Sequence, residues 1–231
     1  MTSGDRRSRE KADVHERILS AARGLFAQHG YEHVTMRQIA DAIEYTPGAL
    51  YVHFKDKRDL ILALCRHDFE QFHASLQGLL QDEPDPVTRI WKMSGRYMDF
   101  ARRHPRHYEL MFLTKCPAGV EPDPEDLARI EDPNQNAYAF LILCVHEALN
   151  AGRLRPELTD ALVVAQTLWG TLHGTSALYI TFEQDPWVRL APFDEAARLA
   201  RANVLRGLLR EPSTVEQLLS DELAEAGRGA R

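Results

Sequence analysis

Thr35-Met36-Arg37-Gln38-Ile39-Ala40-Asp41-Ala42-Ile43-Glu44-Tyr45-Thr46-Pro47-Gly48-Ala49-Leu50-Tyr51-Val52-His53-Phe54 contains two helix starts in quick succession. Thr35 with Gln38 three positions on is a capping-box pair, in which the Thr oxygen accepts a first-turn N–H and the Gln reaches back to the cap. A short helix therefore runs through Ile39, Ala42 and Ile43. Glu44-Tyr45 interrupts it. Thr46 is a good N-cap and Pro47 suits the first helical position, where its missing N–H is not needed, so a further helix starts there and runs to about Phe54.

Outward from this stretch the patterning stays helical. Val14, Ile18, Ala21, Ala22, Leu25 and Phe26 share one face of a first helix, with Gly30 placed as its C-terminal cap and Tyr31 following. Asp56 caps a fourth helix carrying Leu60, Leu64, Phe69, Phe72, Leu76, Leu79 and Leu80. At about 24 residues it would span about 36 Å, long enough to join two domains. Asp82-Glu83-Pro84-Asp85-Pro86 breaks it. Helical segments follow at about 87–103 and 106–114, a Pro-rich connection at 117–124, then about 125–151 with a break near Pro133, 157–182 and 193–210. No strand hairpin and no internal repeat is visible, so the expected fold class is all-α. Residues 1–11 and 213–231 are expected to be flexible tails.

A chain of 231 residues, 44% hydrophobic and 27% charged, is an ordinary globular composition that can bury a core. No uninterrupted apolar run approaches the roughly 18 residues a membrane span needs, and the first residues lack a secretory signal, so no membrane association and a cytoplasmic location are expected. Cys65, Cys116 and Cys144 show no metal-ligand or disulfide spacing and read as buried thiols. The net charge of −6 is unevenly spread. Residues 1–65 hold 10 Lys and Arg against 9 Asp and Glu, net +1, which leaves 18 and 25, net −7, for the rest. A weakly basic head precedes an acidic body.

Two short helices joined by a tight turn and preceded by a supporting helix have the proportions of a helix-turn-helix, whose second short helix enters the DNA major groove. The chemistry agrees. Helix N-termini near Thr35, Thr46 and Lys57 offer N–H groups and a positive dipole end to phosphates. Arg37, Lys55 and Lys57 add cations, and Tyr51 and His53 add donors of the kind that fix a protein on the backbone. Gly48 and Ala49 would allow close approach to bases. Arg6, Arg7, Arg9 and Lys11 form an arm that reads either as a solvated tail or as a minor-groove contact.

Gly30-Tyr31, Thr35 to Ala40, and above all the run Gly48-Ala49-Leu50-Tyr51-Val52-His53-Phe54-Lys55-Asp56-Lys57-Arg58-Asp59-Leu60 resemble the DNA-binding domain of the TetR family of bacterial regulators, over about residues 12–62. The resemblance implies that Thr35, Arg37, Tyr51, His53 and Lys57 contact phosphates of double-stranded operator DNA, that Thr46, Pro47, Gly48 and Ala49 face base edges, and that Leu50 and Phe54 are core. One departure stands out: many members have Gly and an aliphatic residue in the turn, where this chain has Glu44-Tyr45. A Glu at positive φ costs about 1 kcal/mol, so the turn either takes another shape or carries that cost. Tyr45 is either an inward anchor of the turn or a DNA contact.

The family resemblance also implies that residues 63–212 form a helical ligand-binding and dimerisation domain. Leu168-Trp169-Gly170-Thr171-Leu172-His173-Gly174 looks like the Trp-His-Gly signature of a C-terminal domain attached to some of these regulators. Gly170 and Gly174 lie on one helix face, and Ala196, Ala197, Ala200, Asn203, Val204, Gly207 and Leu208 give the closing segment a similarly small-residue face, suited to a four-helix homodimer interface. Tyr97, Phe100, Tyr108, Met111, Trp169 and His173 are the pocket candidates, though each reads more readily as core than as a ligand contact, since the same residue types line both.

No phosphate loop, nucleophile elbow or zinc-protease motif is present, so no catalytic residue, cofactor or metal is assigned and an enzyme is not expected. His104 and His107 sit among Arg102, Arg103 and Arg106, which disfavours a cation. The expected function is a ligand-responsive transcriptional regulator: a homodimeric repressor on a palindromic operator, released by a small-molecule effector. The alternative is a DNA-binding regulator controlled by a protein partner or by redox state.

Overall fold

The structure, a computed structural model, describes residues 3–114 and 124–229. Cys116 and most of the Pro-rich connection lie outside them. Among the described residues every regular element is helical: α1 (Ser3–His29), α2 (Met36–Ala42), α3 (Pro47–Tyr51), α4 (Lys57–Ala74), α5 (Leu79–Asp82), α6 (Pro86–Arg103), α7 (Pro105–Tyr108), α8 (Pro124–Glu131), α9 (Ala137–Asn150), α10 (Ala161–Phe182), α11 (Phe193–Leu208) and α12 (Thr214–Gly229), with a π-helical turn at Glu109–Leu113 after α7. None is long and apolar enough to cross a membrane.

The chain divides into two compact units. The first takes Met1–Phe69 and His104–Glu121, the second Glu70–Arg103 and Pro122–Arg231, so α4 runs from one into the other. A boundary at residue 62 was expected. The first unit instead extends through α4 to Phe69, and it recruits Leu110, which is buried in the same core as Ile18, Phe26, Ile39, Leu50, Phe54 and Leu64. In the second unit α6, α9, α10 and α11 pack together around Val87, Met98, Phe140, Val145, Leu168 and Leu205.

Several elements differ from their expected bounds. The fourth helix stops at Ala74, because the Ser75 hydroxyl donates to the Phe72 carbonyl at 2.6 Å and Gly78 takes a left-handed φ of 86°, which turns the chain before α5. The third helix ends at Tyr51 rather than near Phe54. Residues 3–11, expected as part of a tail, belong to α1. The stretch 213–231 contains α12, which buries Val215 and Leu218 and pairs Glu216 with Arg206 and Glu222 with Arg201. Apolar residues at positions 215 and 218, three apart, carried a helical signal that the surrounding charge obscured.

Candidate nucleic-acid interface and effector pocket

In the first unit, α2 opens with the full capping box. The Thr35 hydroxyl oxygen accepts from the Gln38 N–H at 3.2 Å, and Gln38 Oε1 accepts from the Thr35 N–H at 2.8 Å and from its hydroxyl at 2.9 Å. Thr35 is thus committed to the cap. Arg37 is solvated, with Asp41 3.9 Å away. The turn keeps its shape with Glu44 at φ 60°, carrying the strain that a glycine would avoid. Two groups hold it. The Tyr45 N–H donates to the Ala40 carbonyl at 2.9 Å while its ring packs against the core, and Arg17 of α1 donates to the Ile43 carbonyl at 3.0 Å with its guanidinium 5.2 Å from the Tyr45 ring. The inward alternative for Tyr45 is therefore the one observed. Arg17 was not singled out in the sequence, since nothing local relates it to a carbonyl 26 positions on.

On α3 the alternation of faces is sharp. Leu50 is fully buried, Pro47 and Ala49 are half-buried, and Thr46, Gly48 and Tyr51 are exposed. A Cβ at Gly48 would meet nothing nearer than the Thr46 hydroxyl at 3.9 Å, so the interior does not require a glycine there. Val52, 74% exposed, joins this outward face and escaped the sequence reading. An apolar side chain in such a place suits a thymine methyl.

His53 and Lys57 are less free than their motif suggests. Burial, then His15 and Lys11, hold the His53 imidazole below its usual range, and His15 stacks on Phe54 with centroids 4.7 Å apart. The Lys57 ammonium donates to the Tyr31 carbonyl at 2.8 Å and lies 4.3 Å from the Tyr31 ring centroid, which fastens the loop before α2. Of the basic arm, Arg9 and Lys11 are exposed on α1, and the side chains of Arg6 and Arg7 lie outside the described residues. A further cluster was invisible in the sequence. Asp68 of α4, fully buried, accepts from Arg23 of α1 at 2.6 Å and lies 3.1 Å from His107. Burial raises its pKa, yet the hydrogen bonds from His107 and Arg23 outweigh this and leave it lowered.

In the second unit, three of the six pocket candidates meet. The Tyr97 hydroxyl of α6 accepts from Trp169 Nε1 at 3.2 Å and lies 3.3 Å from His173 Nδ1, both on α10. Burial lowers the His173 pKa, which favours a neutral ring. Phe100 joins through Phe72, whose ring stands 5.2 Å from it and 5.7 Å from Tyr97. Tyr138 of α9 lies 5.4 Å from the Trp169 ring, and its buried hydroxyl has no hydrogen-bond partner among the described residues. Tyr108 and Met111 are not part of this group. They belong to the first unit, where Tyr108 is fully buried against Phe112. Burial pushes the Cys144 thiol up to about 12, an unreactive setting.

Residues 18–64 match the family described as bacterial regulatory proteins, tetR family, and residues 90–210 match the tetracyclin repressor-like C-terminal domain. Among curated relatives, the HTH-type transcriptional repressor KstR2 of Mycobacterium tuberculosis is 24% identical over 155 residues, 66% of this chain and 76% of that one. The HTH-type transcriptional repressor AcnR of Corynebacterium glutamicum is 47% identical over 53 residues, 23% of this chain and 28% of that one. The solved structure of the transcriptional regulator FadR from Bacillus subtilis in complex with stearoyl-CoA superposes with a TM-score of 0.68 at 16% identity, covering 83% of this chain and 98% of that one. The C-terminal match alone spans more than half of the chain, and with the capped α2, the turn and the outward face of α3 it establishes the protein as a helix-turn-helix transcriptional regulator that belongs to the TetR family.

Proposed function

We propose that the protein is a homodimeric repressor that binds a palindromic operator and is released by a small molecule bound in the second unit. The observation that carries the effector half of this reading is the Tyr97, Trp169 and His173 triad, a polar hydrogen-bonded group set among Phe72, Phe100 and Tyr138. A site that is mostly aromatic with a few convergent polar groups suits an effector with an apolar body and one polar function. The orphaned Tyr138 hydroxyl supplies a further donor for it. In this reading the Trp169 to Gly174 run is a pocket element as well as part of a helix face.

On the DNA side, Thr46, Pro47, Gly48, Ala49 and Val52 meet base edges, while Tyr51, Arg37 and His53 hold phosphates together with the first turn of α2. Thr35 and Lys57 act through the backbone they brace. The dimer is supported by α10 and α11, where a Cβ at Gly170, Gly174 or Gly207 would meet nothing within 4 Å and Leu162, Val163 and Leu199 are exposed. Two heads related by a two-fold axis would enter major grooves about 34–36 Å apart. Effector binding acts through α4, which continues from the pocket unit into the head unit.

The test is binding of the full chain to duplex DNA from upstream of its own gene, at two salt concentrations and with non-specific competitor, alongside sedimentation. Competitor-resistant binding by a dimer, weakened by a compound that no longer acts on Tyr97→Phe/His173→Ala protein, is the expected result. A monomer bound only at low salt would overturn the reading.

A further inference from the structure

A cleft of about 1210 Å3 opens within the second unit between α6, α11 and α12. It is lined by none of the residues of the Tyr97 group. At its wall Arg201 of α11 is 7% exposed. Its Nε donates to the Ser94 hydroxyl and one Nη to the Trp91 carbonyl, each at 3.0 Å, and the guanidinium lies 3.9 Å from the Trp91 ring centroid. These partners all come from α6. Gly95 makes the approach possible, since a Cβ there would stand 3.0 Å from Nη2. Arg201 thus has a set of contacts on α6 that does not depend on α12.

The remaining edge of the guanidinium faces α12, where both carboxylate oxygens of Glu222 accept from it at 3.0 Å. A forked pair of this kind is how guanidinium recognises a carboxylate. The two partners are unequally held: Arg201 is buried, whereas the Glu222 side chain is 44% exposed. Glu222 therefore occupies a carboxylate site from the solvent side. Met98, Phe193 and Leu218 give the cleft apolar lining, and Arg198 lines it together with the carboxylates Asp194, Glu195 and Asp221. The start of α12 has its own anchors in Val215, Leu218 and the Arg206–Glu216 pair, so loss of the Glu222 contact frees only the end of the helix.

We propose that this cleft is a second small-molecule site, which takes an amphipathic carboxylate whose head replaces Glu222 on Arg201 and whose apolar part lies on Met98, Phe193 and Leu218, releasing the C-terminal half of α12. Glu222 is an internal competitor for the ligand. The probe pair is 4-phenylbutyrate and its neutral amide, titrated calorimetrically into the full chain, with amide hydrogen exchange followed over residues 219–229. Wild-type protein binds the carboxylate weakly, and exchange at the end of α12 speeds up. Glu222→Gln, which keeps the α6 contacts of Arg201, binds the carboxylate about tenfold more tightly because a charged hydrogen-bonded competitor is gone, and discriminates against the amide. Equal affinity in wild type and Glu222→Gln, equal binding of acid and amide, or unchanged exchange in α12 would each overturn the proposal. Binding lost in His173→Ala but indifferent to Glu222→Gln would place the probe at the Tyr97 group, which also overturns it while leaving the effector reading intact.

Discussion

Gly48 in the head and Gly95 in the body are both helical glycines with opposite surroundings. A Cβ on Gly48 would reach only the Thr46 hydroxyl, at 3.9 Å, whereas one on Gly95 would stand 3.0 Å from the Arg201 guanidinium. Inside the molecule only the second glycine has to be small. That difference runs through both units. The head sets its conspicuous side chains outward, Tyr51 and Arg37 on very short helices and Val52 just past the end of one, while the body turns Tyr97, His173 and Arg201 against neighbouring helices.

The sharpest way to break the comparison is to fill each glycine. Gly95→Leu must displace a buried, ion-paired Arg201, and a loss of about 3 kcal/mol in denaturant unfolding is expected. An unchanged midpoint would show that the guanidinium can simply move aside. Gly48→Leu should leave unfolding within about 0.5 kcal/mol of the parent, as an exposed substitution does. Its operator affinity, read by fluorescence anisotropy, should drop by about thirtyfold, equivalent to about 2 kcal/mol. If binding survives, the outward face of α3 is not pressed against DNA.

Tyr51→Phe removes one exposed hydroxyl and should weaken every duplex alike by about fivefold, near the value of one hydrogen bond. A change in sequence preference instead would move Tyr51 from phosphate to base. The smallest effects are expected from pH, and they separate the two histidines. Burial holds both His53 and His173 below the ordinary 6.5. The unfolded chain therefore takes up protons first as pH falls below 6.5, and stability declines there; His173→Asn should flatten that decline in thermal melts. Operator affinity should move the other way, rising as His53 gains charge near phosphates, and His53→Gln should abolish the rise.

The head was readable because its signals are local. A capping box, a proline at the first helical position and a turn are set by neighbours along the chain, so residue spacing alone implies their geometry, although Thr46 takes the N-cap position of α3 without a side-chain cap hydrogen bond. Even there the sequence left Glu44 undecided: only the inward pull of Tyr45 and the Arg17 bond to the Ile43 carbonyl explain why a left-handed glutamate is kept. The body was harder. Aromatic residues line cores and pockets alike, so Tyr97 and Tyr108 looked equivalent until folding put them in different units. The overlong fourth helix failed for a similar reason, since apolar spacing continues through Leu76 and Leu79 while Ser75 and Gly78 turn the backbone.

By itself the sequence determined an all-α chain with a helix-turn-helix head, because caps, prolines and apolar periodicity act over a few residues and need no partner from afar. Tertiary structure alone decided that Asp68 joins Arg23 to His107, that Trp169 and His173 converge on Tyr97, and that Arg201 lies buried between Trp91 and Glu222. Each of these pairs groups separated by tens of residues, and their energies depend on burial and angle, which exist only once the helices have packed.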